Sequence, residues 1–399
     1  MTLHSADPNH SQSLSGSLAM TGSSFYLPPE IWLHIHRLAT SHTSPLAKAC
    51  SDRFEVHLVI LSDPFKDMAA FLRDALSFSL VSKLWKNLAN ELFLENIVVD
   101  QQPFDSLLHT LQLPEKAHLV RSIKLSSKRF DRNVAILACC PRVEVIVQPD
   151  ERPRAVTDTS LWIANDPSFN INAELRFLKH IYWTESYMSS GGLLRKLVLA
   201  APNLEHLFLS ESGKIPASRE PLELPLMPTL RRLGLGVMAG WDVTRSILQV
   251  DLRNLARLSC TPEFIEHADF PATIPSLHAL HLSGFRSKIS FPTVFARFPH
   301  LQELCYHVWD SFSHPGEQQR SRVSLVRLYS SVSMRVVQDW KFVDKHFTLL
   351  LSAKFPQLQR IVLYGSWHNI IDDMRFVRFR EGLRARGCQL EHPEGDVLN

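Results

Sequence analysis

The side chains that could do chemistry in this chain are 19 histidines, six cysteines, two acidic pairs and one glycine-rich stretch. Cys50, Cys139, Cys140, Cys260, Cys305 and Cys388 form no Cys-x-x-Cys pair and fall in apolar stretches, the setting of buried free thiols. That usage argues against a disulfide framework and for a reducing, intracellular compartment, cytoplasm or nucleus. No His-x-x-x-His or His-Glu-x-x-His spacing occurs, so zinc lacks its usual ligand pattern. His34 and His36 are two apart and point to different faces of a helix. Asp150-Glu151 and Asp372-Asp373 are sequence neighbours, whereas catalytic carboxylates must converge across a cleft. There is no Gly-x-Ser-x-Gly elbow. The segment Gly234-Leu235-Gly236-Val237-Met238-Ala239-Gly240 is one residue too long in its last spacing for a dinucleotide loop and reads as a repeat turn. Arg375, Arg378, Arg380, Arg384 and Arg386 read as the solvated face of a terminal helix. The expectation is a protein without catalysis, cofactor or metal, so its function should lie in surfaces.

The bulk properties agree. Lys and Arg number 43 against 40 Asp and Glu, so a net charge of +3 gives no pull toward nucleic acid or anionic membrane. No apolar run approaches the roughly 18–20 residues of a membrane span. The first 36 residues hold no Lys or Arg, so no secretory signal is expected. Hydrophobic residues make up 45%, enough for a large core, and 24 Pro against 14 Gly favour many defined turns.

Four segments follow from the patterning. Residues 1–24 are polar and are expected to be a disordered tail. Residues 25–100 hold a small helical module. Pro28 and Pro29 suit a first helical turn, Glu30 suits the positive end of the helix dipole, and Ile31, Ile35 and Leu38 form a stripe. Residues 40–66 read as an irregular insertion. Helix then resumes near Asp67, with Leu80, Leu84, Leu88 and Leu92 at i+4 spacing and Val81 and Trp85 beside them.

Residues 115–387 repeat one phrase, apolar-Pro-x-Leu-x-x-Leu-x-Leu. It is clearest at Pro202-Asn203-Leu204, Pro228-Thr229-Leu230, Pro275-Ser276-Leu277, Pro299-His300-Leu301 and Pro356-Gln357-Leu358. Weaker copies place the leading apolar residue at 120, 143, 178, 255 and 325. A period of 22 to 35 residues predicts a solenoid of short parallel strands joined by returning arms. The longer intervals, 143–178 and 325–358, leave room for insertions, and residues 149–160 read as an exposed loop. Alternation sends the intervening strand residues outward. These are Tyr182, His206, Phe208, Arg232, Arg257, His281, Glu303, His307, Arg327, Tyr329, Arg360 and Tyr364, the candidate partner-binding residues. Tyr and Arg are types that anchor interfaces. His180, His206, His281 and His307 would line up as one polar ladder on a solvated face. Residues 368–387 form a helix expected to cap the stack, and 388–399 a frayed tail.

Leu27-Pro28-Pro29-Glu30-Ile31 with Ile35, followed by Leu80-Val81-Ser82-Lys83-Leu84-Trp85 with Leu88, resembles the F-box, over about residues 25–96. The region after it resembles the leucine-rich repeats that often follow an F-box, and the whole resembles F-box proteins of fungal type. The resemblance implies a substrate-recognition subunit of an SCF-type ubiquitin ligase. Leu27, Pro28, Ile31, Ile35, Leu80, Val81 and Trp85 would dock a Skp-type adaptor, and the repeats would hold a protein substrate. The rival reading is a leucine-rich-repeat scaffold that binds a partner without ubiquitin transfer. The 42 residues from Leu38 to Leu80 depart from the family pattern and require the insertion to loop out.

Overall fold

Five of the Pro-Leu phrases fold into the same turn. The Leu204 amide donates to the Ala201 carbonyl at 3.2 Å, and Leu230, Leu277, Leu301 and Leu358 repeat the bond to Met227, Ile274, Phe298 and Phe355 at 3.1–3.3 Å. Each Pro therefore occupies the second position of a four-residue turn, which its fixed φ suits. Two residues after each leading Leu a strand begins. The computed structural model describes residues 27–41, 44, 64–65, 67–126, 130–148, 174–185, 191–211, 226–236, 251–284, 286–313, 320–330, 336–393 and 395–398. The expected 1–24 tail, most of the 40–66 insertion and the 149–160 loop lie outside the described residues.

In chain order the helices are α1 (Pro29–Ala39), α2 (Met68–Ser79), α3 (Lys83–Glu95), α4 (Phe104–Leu111), α5 (Pro114–Ala117), α6 (Phe130–Cys139), α7 (Gly191–Ala200), α8 (Pro262–Glu266), α9 (Phe291–Arg297), α10 (Val336–Leu350), α11 (His368–Ile371) and α12 (Met374–Ala385). The strands are β1 (Asn96–Val98), β2 (Ser122–Lys124), β3 (Val145–Gln148), β4 (His180–Glu185), β5 (His206–Glu211), β6 (Arg232–Leu235), β7 (Arg257–Cys260), β8 (Ala279–Leu282), β9 (Lys288–Ser290), β10 (Glu303–His307), β11 (Ser311–Ser313), β12 (Leu325–Ser330), β13 (Arg360–Gly365) and β14 (Gln389–Glu391). The fold is mixed α/β. Twelve strands form one parallel sheet in the order β1-β2-β3-β4-β5-β6-β7-β8-β10-β12-β13-β14, and β9 and β11 pair separately. Each strand of the large sheet lies beside its predecessor because the chain returns through an arm between them.

One register row crosses the whole sheet. It runs Ile97, Ile123, Ile146, Ile181, Leu207, Leu233, Leu258, Leu280, Leu304, Val326, Ile361, Leu390. None is more than 3% exposed. Together with the arm helices these residues form the main core.

Three expectations need correction. The strand at Leu325 begins at that residue, so its leading apolar residue is the buried Val323, two residues earlier than the pattern placed it. Residues 389–391 are a strand paired with β13 rather than part of a tail. Hence α12 is one more returning arm and does not end the stack. Finally, the helical stripe expected from Leu80 to Leu92 is broken. Ser82 starts a new helix, its hydroxyl accepting the Trp85 amide at 3.2 Å, and Leu80 falls in the turn before it.

The second apolar cluster joins the N-terminal helices to the sheet. Phe65, Met68, Phe71 and Leu92 pack on Val98, Val145, Val147, Tyr182 and Phe208, with Leu33 and Leu72 at its margin. The helices therefore cover the outward side of the first five strands.

Candidate docking surfaces

The helical module has an apolar exterior and an aromatic interior. Trp85 lies 5.3 Å from Trp32, 4.6 Å from His36 and 5.9 Å from Phe78, measured between ring centroids. These contacts tie α1 to the end of α2 and the start of α3. Opposite them, the Ile31, Ile35 and Leu38 stripe of α1 faces solvent, and Leu80 and Val81 in the adjoining turn are 87% and 61% exposed. Of the seven residues expected to dock an adaptor, Pro28, Ile31, Ile35, Leu80 and Val81 are exposed and Leu27 is half-buried. Trp85 is also half-buried, and its ring serves the interior of the module. The helical pattern alone did not reveal His36, which is buried against Phe78 and Trp85 with neither ring nitrogen hydrogen-bonded. Burial lowers its pKa. Nor did it reveal the Arg37–Glu95 ion pair that fastens α1 to the end of α3. Burial raises the Glu95 pKa, and the Arg37 hydrogen bond and charge oppose that rise.

The outward sheet face is more buried than the alternation suggested. Tyr182 and Phe208 lie beneath the module and are not available to a partner. His281, His307 and Tyr329 are also buried. The histidines form no single ladder. His180 and His206 are register neighbours, with rings 5.8 Å apart. His281 stands in the next outward row, its Nδ1 3.1 Å from the Ser259 hydroxyl. His307 lies one outward row further along and packs on the Tyr329 ring at 4.6 Å. Burial drives the pKa of His281 down to about 3 and that of His307 to about 4, so both rings are neutral at physiological pH. His206 is half-buried, with its Nδ1 3.4 Å from the Tyr182 hydroxyl.

Polar contacts organise the distal strands. Arg327 donates to Glu303 and to the Tyr364 hydroxyl, both at 2.5 Å. Arg360 forms a two-point contact with Glu391 at 2.5 and 3.1 Å. Glu303, Arg327 and Tyr364 are part-exposed and Arg360 is exposed. Arg232 and Arg257 are register neighbours on β6 and β7, both part-exposed. Gly234 and Gly236 lie in β6 and directly after it, as repeat-strand residues.

Among the described residues, no group of three or more His, Cys, Asp or Glu could hold a metal ion. No helix among them is long and apolar enough to cross a membrane. Burial pushes the Cys140 thiol up to about 12 and Cys388 to about 11, so both are protonated and poor nucleophiles. A cleft of about 370 Å³ lined by Glu266, Lys288, Ser290, Thr293, Arg297 and Ser313 flanks the β9–β11 pair. Its Arg297 is committed to the carbonyls of Phe270, Pro271 and His267. The chain matches no protein-family model, and no curated protein is significantly similar to it.

Proposed function

We propose that this chain is the substrate-recognition subunit of an SCF-type ubiquitin ligase, working inside the cell. The N-terminal helices act as an F-box that docks a Skp-type adaptor, and the repeats form a leucine-rich-repeat-like solenoid that holds a protein substrate. The observation that carries the reading is the exposed apolar set of Ile31, Ile35 and Leu38 on α1 with Leu80 and Val81 in the turn before α3, on a module whose interior is already filled. Scattered apolar residues are ordinary on a surface, but a cluster on one module favours a protein interface. The order of the two motifs along the chain agrees with an adaptor role.

A second reading has its own support. The module also covers Val145, Val147, Tyr182 and Phe208, which a simple cap of a binding scaffold would do without any ligase. Co-purification of the full chain with a Skp-type subunit separates the two. Stable capture supports the ligase reading. A folded chain that captures none of the subunit leaves the scaffold.

A further inference from the structure

The two edges of the large sheet are finished differently. β1 is buried along its whole length, and its Val98 lies beneath the N-terminal helices. β14 is the last strand in the order and pairs only with β13. In a parallel pair, successive residues turn their N–H and C=O groups to opposite sides. The Gln389 amide donates to the Gln359 carbonyl at 2.8 Å, toward β13, so Leu390 turns its backbone groups to the far side. Backbone groups on a sheet edge are a template for another strand.

Residues 392–398 fold back onto that edge. The Leu398 amide donates to the Leu390 carbonyl at 2.8 Å, the His392 amide to the Asp396 carbonyl at 2.9 Å, and the Gly395 amide to the His392 carbonyl at 3.0 Å. Glu391 and Val397 stand opposite each other in the antiparallel bridge that results. Gly395 turns the chain at a φ of +93°, a conformation that suits glycine. The segment is lightly held. Pro393, Gly395, Asp396 and Val397 are exposed, while Leu398 packs on the main core. Among the described residues one backbone bond joins it to β14, against three register pairs between β14 and β13.

We infer that residues 392–398 are a strap that holds the β14 edge against a strand of a second copy of this chain. With the strap lifted, two β14 edges fit each other antiparallel about a twofold axis normal to the sheet, Leu390 opposite Leu390. The two Leu390 residues then exchange both backbone hydrogen bonds. Gln389 comes opposite Glu391, so no two carboxylates face each other across the new pair. The axis keeps both aliphatic faces on one side and joins two sheets into one. The strap, rather than α12, is therefore what ends the stack. This device is independent of the adaptor reading.

The test is sedimentation of the full chain over about a hundredfold range of concentration, with circular dichroism to report the fold. Wild type should remain a single chain. Leu398→Pro removes the amide that bonds Leu390, and Gly395→Val strains the turn at the other end of the strap. Each should approach a twofold rise in mass at the highest concentration. Leu398→Ala loses side-chain packing but keeps the amide, and should remain a single chain. A folded Pro or Val variant that stays a single chain overturns the inference. So does a wild type that associates as readily as they do, an Ala variant that associates as they do, or growth beyond two copies. Loss of fold in both opened variants overturns it as well, because the segment would then belong to the folded unit rather than lie on it.

Discussion

Truncating Phe208 tests whether the helical module is truly seated on the sheet. Phe208 is 9% exposed, packs 6.3 Å from the Tyr182 ring and belongs to the cluster that α2 and α3 share with β3 to β5. Phe208→Ala should therefore destabilise by about 3–5 kcal/mol, the range for a large buried side chain. Had the residue stood free on a binding face, the cost would be within about 0.5 kcal/mol, as expected of the exposed Leu226→Ala control. Gly234 supplies an independent check. A methyl there would lie 2.3 Å from Phe208 Cδ2, so Gly234→Ala must displace the ring. In the Phe208→Ala background the clash is gone, and the second substitution should cost less than it does alone. The double-mutant cycle should show a coupling of about 1 kcal/mol or more, within the range for contacting residues. Urea denaturation followed by circular dichroism reads all four proteins. Additive effects would refute the contact between Gly234 and the Phe208 ring, and a Phe208→Ala protein as stable as wild type would refute the seating of the module.

Three further outcomes follow. Trp85→Ala should cost about 2 kcal/mol, less than a fully buried ring because Trp85 is half-exposed, yet should still weaken adaptor capture by loosening α1; thermal melting beside a pull-down checks both. His36 is held neutral by burial, so its folded pKa lies below the unfolded value of 6.5; its contribution is complete above that pH and is lost as pH falls. Melting temperature from pH 7 down to 5 should drop in wild type and drop less in His36→Phe. Asp310 is the opposite case. Burial raises its carboxyl from 3.8 to about 7 although it accepts the Ser287 and His307 amides, so its stabilising effect is complete below pH 4 and falls away as pH rises to 7. The ceiling is on the order of 4 kcal/mol, and Asp310→Asn should flatten that part of the stability profile measured in urea.

The repeat was legible because one face of every strand has to be aliphatic, and the Pro-x-Leu turn punctuates five of the arms. β1 and β14 carry no such turn, and with three residues each they leave almost no alternation to read. The phrase at Leu325 lacks Pro and Leu325 resembles a leading residue, so the pattern sets that repeat's leading position two residues late, although Val323 is the one buried. The cover over β3 to β5 was written in the outward residues themselves. Val145, Val147, Tyr182 and Phe208 are all apolar or aromatic, whereas the outward positions of β7 to β13 mix Arg, Ser, His and Glu with Ala279, Cys305, Leu325, Tyr329, Val362 and Tyr364. Alternation gives a side chain its face but says nothing of what lies on that face, so these two aromatics looked like interface anchors. On the module, five of the seven expected docking residues are exposed, and the exception with most consequence is Trp85, whose ring is needed to hold α1.

The most direct test of the adaptor reading is the affinity of the full chain for a purified Skp-type subunit, measured by titration calorimetry for wild type and for Leu80→Glu with Val81→Glu. Both side chains are exposed in the turn before Ser82, so the charges should leave the melting temperature unchanged. The account predicts binding by wild type and a loss of about a hundredfold or more in the variant, as for charges placed in the apolar centre of an interface. A wild-type chain that does not bind, or a variant that binds as well as wild type, would contradict it.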